Sequence, residues 1–202
     1  MAQDEGDSGG IAEEETLRAE LYVLLGWLLK SPPDAAGLQR AAALDGDDSD
    51  LGRAISVLAA TARASTPAAI DEEFQALFIG LGRGELLPYG SYYMSGFLNE
   101  KPLANLRIDM DALGIARADD LTETEDHIAA LCDMMAGLIT GAFGAPAELA
   151  TQQQFYDSHI APWAPKFFED LEAAAAAAFY MPVGAIGRAF MRIEAQAFQM
   201  AA

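Results

Sequence analysis

Apolar residues recur at three- and four-residue steps along almost the whole chain, and no stretch alternates with period two. Period two is the mark of a half-buried strand, so the pattern excludes a sheet and leaves helices. Val183, Ile186, Phe190, Ile193, Ala197 and Met200 show it most clearly. Valine is scarce and alanine is abundant, which suits helices that approach closely. The expected fold is all-α, a single-domain bundle of about nine or ten helices with a hinge or connector region near 80–122.

Punctuation divides the chain further. Residues 1–12 are Gly-rich and acidic and read as a disordered tail, with a helical domain over 13–202. Leu17, Leu21, Leu24, Leu25 and Leu28 form a helix that Pro32-Pro33 stops. Asp45 to Asp50 reads as a solvated acidic loop ending in an N-cap. Its glycine is misplaced for a calcium loop, and the downstream bidentate Glu is missing. Leu51, Ile55 and Leu58 mark another helix. Phe74, Leu77, Phe78 and Leu81 mark the next, which starts after Thr66-Pro67. Gly80 to Gly84 ends it. This stretch follows a helix and lacks the ending of a phosphate loop.

Leu98 to Leu113 reads as helix, with Lys101-Pro102 near its start and Gly114 at its end. Thr122 with Glu125 has capping-box spacing before the stripe of Ile128, Leu131, Met135, Leu138 and Ile139. Further helices are expected over 147–159, 163–179 and 181–200, with the alanine run 173–178 inside the second of these.

Charge bounds the partners. Twelve Lys and Arg against 31 Asp and Glu leave a net charge of −19. That field repels nucleic acid and anionic membrane and attracts basic segments. The one cysteine, Cys132, permits no internal disulfide, and with two histidines it makes no zinc set. The N-terminus lacks the basic region of a signal peptide, and the apolar run 21–29 is too short to span a bilayer. A soluble cytoplasmic protein without stable membrane insertion is expected.

Two connectors hold the candidate functional groups. One is Pro88-Tyr89-Gly90-Ser91-Tyr92-Tyr93, and the other is Glu123-Thr124-Glu125-Asp126-His127. Connectors lie on the surface and can offer such groups to a partner. Glu123, Asp126 and His127 could form an acid/base cluster, which is the basis of an alternative reading as a small helical hydrolase or lyase. No nucleophile or oxyanion device accompanies them. Glu123 and Asp126 could equally serve a helix dipole, and both readings stay open. Cys132 reads as core, and His159 as a helix-end residue bonded to a carbonyl.

These residues carry a resemblance. Phe74 to Phe78 with Gly80, then Pro88 to Tyr93, Pro102-Leu103, Glu123 and Asp126-His127 resemble the TorD/DmsD-like redox-enzyme maturation chaperones. Phe155, His159, Pro162-Trp163, Phe167, Asp170-Leu171 and Phe179-Tyr180 continue the likeness, which runs from about residue 15 to about 200. One departure is Thr124, where members often have proline after the Glu.

The resemblance implies an all-helical cytoplasmic chaperone, not an enzyme, with no catalytic residue, metal or cofactor of its own. Its partners would be a precursor molybdopterin-dependent oxidoreductase and that precursor's twin-arginine signal peptide. Some members form domain-swapped dimers, so monomer and swapped dimer are both open, and nucleotide binding has been suggested for some. The partner-binding residues expected on this reading are Leu77, Phe78, Pro88, Tyr89, Ser91, Tyr92, Tyr93, Glu123, Asp126 and His127. Glu123 and Asp126 would face arginine, and the tyrosines would stack on guanidinium or line a groove. At least one tyrosine is expected only to anchor the connector.

Overall fold

The computed structural model describes residues 12–80, 83–117 and 123–201. Among these the all-α expectation holds. There are ten α-helices and one π-helical turn, and the sole β element is an isolated bridge between Tyr89 and His127. The expected disordered tail lies almost wholly outside the described residues.

The helices run α1 (Glu13–Lys30), α2 (Ala35–Ala42), α3 (Asp50–Ala64), α4 (Pro67–Phe74), α5 (Gly90–Ser95), α6 (Lys101–Ala112), α7 (Ile128–Thr140), α8 (Leu149–His159), α9 (Ala164–Ala173) and α10 (Tyr180–Ala201). Short polar side chains start several of them. Asp34 accepts from the Gly37 N–H, Ser49 from Gly52 and Thr66 from Ala69, each satisfying a donor that the helix itself leaves free.

The apolar helix α7 is the central post, buried on nearly every side, and α1 packs along it. Contact is close because α1 carries Gly26 there: a Cβ at that position would stand 2.7 Å from an Asp133 carboxylate oxygen and 3.3 Å from the Ala129 carbonyl. On the other side α10 packs against α9 and α3. Gly184 permits this, since a Cβ there would meet the Glu172 amide nitrogen at 2.5 Å. Trp163, Tyr22, Tyr156, Tyr180 and the Phe167–Phe168 pair fill the core.

Several boundaries differ from expectation. The helix expected to run to Leu81 gives way at Gln75 to a π-helical turn, Gln75–Ile79, and Gly80 ends it with φ of 64°. Connector 80–93 is not all loop, because α5 occupies its end. The helix placed from Leu98 begins at Lys101, after Asn99 in the left-handed region at φ 60°.

The largest difference concerns the alanine run. Helix α9 stops at Ala173, and 174–179 is not helical. Two carboxylates take the amides there. Glu85 accepts from Ala175 and Ala176, and Glu73 accepts from Ala178, Phe179 and Tyr180 at 2.8–3.0 Å. Charge-assisted bonds from distant elements thus override a strong local propensity, and Glu73 serves as the cap of α10.

Candidate functional site

Helix α7 begins at Ile128, six residues after the expected cap, and Thr122 lies outside the described residues. The cap is His127, whose Nδ1 accepts the Ala129 N–H at 3.1 Å. Glu125 lies ahead of that cap, outside the helix. It faces α6 and takes a guanidinium fork from Arg107, with Nη2 at 2.8 Å from Oε2. Residues separated by 18 positions form this pair, so no local pattern announces it.

The two candidate connectors do meet. The Ile128 N–H donates to the Pro88 carbonyl and the Gly90 N–H to the Asp126 carbonyl, both at 2.9 Å. Asp126 completes the junction. Its Oδ2 accepts the Ser91 N–H at 2.7 Å, at the start of α5, while Oδ1 accepts the Thr124 hydroxyl at 2.6 Å. Threonine stands where the resembling proteins often have proline, and here its hydroxyl orients the aspartate. Asp126 is 3% exposed and His127 8%. Both are therefore turned into the fold and away from solvent.

The other candidates divide sharply. Leu77 and Pro88 are buried, and Phe78 packs edge-on against Phe74 and Tyr180. Ser91 is fully buried, and its Oγ has no hydrogen-bond partner among the described residues. Tyr93 is the anchoring tyrosine. It lies against Trp163 and Phe167 and donates to Asp170 at 3.1 Å. Tyr89 and Tyr92 are half-buried. Tyr89 packs edge-on against His127, and its hydroxyl donates to the exposed carboxylate of Glu123. Burial, the Glu123 bond and nearby negative charge push that phenol up. Tyr92 carries the Arg83 guanidinium over its ring at 5.1 Å and also bonds it through its hydroxyl. Such stacking is the contact a foreign guanidinium would make.

An apolar groove of about 460 Å³ opens beside this junction. Met110, Ile115, Met134 and Phe143 supply part of its apolar wall, with Val23 of α1 at the edge. Glu123, Thr124, Glu125 and His127 border it, as do Arg117, Asp133 and Lys30. Met110 and Met134 thus belong to the core and also line a concave surface, which a one-dimensional stripe cannot distinguish.

Among the described residues no acid/base set is assembled. Accepting at Nδ1 places the His127 proton on Nε2, and Asp126 is already engaged by Ser91 and Thr124. Cys132 is buried, and burial pushes its thiol up, away from the thiolate. His159 differs from expectation: its Nε2 pairs with the Asp109 carboxylate at 2.7 Å, and its own carbonyl accepts from Trp163. Among the described residues no group of three or more His, Cys, Asp or Glu could hold a metal ion. No described helix is long and apolar enough to cross a membrane.

Burial pushes His127 down to about 4, against a smaller upward pull from Glu123 and Asp126. An unfolded histidine takes up its proton near pH 6.5. Between these values the unfolded state binds more protons, so this residue's contribution is complete above about pH 6.5 and is lost as pH falls toward 4. Urea unfolding between pH 7 and 5 should therefore show stability dropping, with a shallower drop in His127→Gln.

The described residues form a helical body with a mainly apolar groove, rimmed by charged groups, beside the junction of two connectors. Its fold is similar to that of a redox enzyme maturation protein from Archaeoglobus fulgidus, with a TM-score of 0.57 and 20% identity over 93% of this chain and 99% of that one. The family model described as the nitrate reductase delta subunit matches residues 44–169, and the chain belongs to that family.

Among curated relatives, the chaperone protein TorD of Vibrio atlanticus is 30% identical over 135 residues, 63% of each chain. TorD of Photobacterium profundum is 31% identical over 61% of each. A Vibrio cholerae TorD is 33% identical over 59% of this chain and 58% of its own. The matched region spans less than two thirds of these relatives. The TorD-like resemblance carried by the sequence motifs is thereby borne out.

Proposed function

We propose that this protein is a cytoplasmic chaperone without catalytic activity of its own. It binds the twin-arginine signal peptide, the apo form, or both, of a molybdopterin-dependent oxidoreductase of formate dehydrogenase or S-/N-oxide reductase type. It assists cofactor insertion and holds back export until insertion is complete. The observation that carries this reading is the groove beside residues 123–127. Its wall suits the apolar segment of a signal peptide, and its carboxylates suit the adjoining arginines. The net charge of −19 favours encounter with such a basic segment.

Within this reading the candidate residues take different parts. Glu123, Tyr89 and Tyr92 contact the client. Asp126, His127, Ser91, Pro88, Tyr93, Leu77 and Phe78 hold the surface in shape from within. The test is affinity purification from the native cell, followed by mass spectrometry of what co-purifies. A molybdoenzyme precursor retaining its twin-arginine leader is the expected result. Its loss on Glu123→Ala would place the contact, whereas recovery of no such precursor would sink the reading.

A further inference from the structure

Glu125 already carries two guanidinium groups of its own chain. Arg107 donates from Nε to both carboxylate oxygens at 3.2 Å and from Nη2 to Oε2 at 2.8 Å. Arg117 brings Nη1 to 3.5 Å from Oε1. The Glu125 side chain is 5% exposed, whereas those of Arg107 and Arg117 are 49% and 42% exposed. The carboxylate is therefore buried while both cations that pair with it are partly exposed, and Arg117 also donates to the Glu123 carbonyl at 3.3 Å. Glu125 and Arg117 also border the apolar groove.

We infer that Glu125 is the carboxylate that receives an arginine of the client's pair, and that Arg107 and Arg117 occupy it until the client arrives. The inference rests on the proposed signal-peptide reading and names the residues that gate the same site. Replacing one planar fork by another conserves the hydrogen bonds of the buried carboxylate, so exchange between arginines is possible at little net loss. An ammonium offers a point charge and no fork, so a lysine pair would displace the resident arginines poorly. Self-occupancy also lowers the apparent affinity for any client, because the receptive state is only a fraction of the population. It thereby acts against wrong partners as well as for the right one.

The test compares two synthetic peptides, one with an arginine pair before an apolar stretch and one with a lysine pair in its place. Calorimetric titration of the unaltered protein should show binding of the arginine peptide. Arg107→Gln with Arg117→Gln should tighten that binding by about tenfold, with a much smaller gain for the lysine peptide. Glu125→Gln should erase the preference between the two. Arg107→Lys keeps the charge and removes the fork, so it gives an intermediate gain and keeps the test open if the double variant folds poorly. Equal gains for both peptides would reduce the resident arginines to bulk charge and overturn the inference. Unchanged or weaker arginine-peptide binding would overturn it too, while leaving the chaperone reading in place. Failure of the unaltered protein and every variant to bind the arginine peptide would overturn both.

Discussion

Replacing Arg18 by alanine should lower the stability of the fold by about 3–5 kcal/mol, because it strands a fully buried carboxylate. Glu194 on α10 is 0% exposed. Arg18 on α1 meets it as a fork, Nε to Oε1 at 2.7 Å and Nη2 to Oε2 at 2.8 Å, and the Tyr22 hydroxyl adds a bond to Oε2 at 2.9 Å. The remaining Arg18 nitrogen reaches Glu15 at 2.7 Å and Gln152 on α8 at 3.0 Å. Three helices are thus tied at one guanidinium. Without it, Tyr22 alone cannot compensate the charge. The ion pair as a whole is a different matter, since desolvating both partners offsets most of their attraction. Arg18→Met with Glu194→Leu should therefore recover most of the loss. Urea unfolding of the single and double variants measures both values. A single variant within 1 kcal/mol of the unaltered protein would show that water reaches Glu194.

That clamp also marks the limit of what one dimension reveals. The helices of the C-terminal half announce themselves because burial on one face imposes a period, as with Val183, Ile186 and Phe190 of α10, but the same stripe fails beyond Phe190, where Ile193 and Met200 are exposed and Glu194 is buried. Caps such as Asp34, Ser49 and Thr66 act within three residues and are legible for the same reason. The run 173–178 misleads because the groups that break its helix, Glu73 and Glu85, stand about 90 residues or more away in sequence. Glu125 misleads in the same manner. Its spacing from Thr122 fits a capping box, but its partner is Arg107 on the preceding helix. The two connectors were identifiable by their unusual density of aromatic and acidic residues. Which of those residues face outward depends on where α5 and α7 start, and the starts are set by contacts between the connectors themselves.

Asp126 and Glu123 should consequently separate in their effects, although sequence reasoning treats them alike. A carboxylate in the first turn of an exposed helix contributes about 0.3–1 kcal/mol through the helix dipole. Asp126 does more, because it is buried and takes the Ser91 amide and the Thr124 hydroxyl at once. Removing it leaves a buried amide without a partner, a loss of about 2–3 kcal/mol. Asp126→Ala should therefore lower the unfolding free energy by that amount and loosen the start of α5, with faster amide exchange at Ser91. Glu123 is exposed, and among the described residues its side chain is bonded by the Tyr89 hydroxyl alone. Glu123→Ala should change stability by less than about 0.5 kcal/mol. Client-peptide affinity should move in the opposite order. Losing an exposed receptor carboxylate should weaken binding more than tenfold, about 1.4 kcal/mol, whereas Asp126→Ala should weaken it only to the extent that the surface loses its shape. Thermal melts and titrations on the same two variants decide the matter. If Asp126→Ala melts like the unaltered protein and Glu123→Ala binds like it, neither carboxylate has the part assigned to it here.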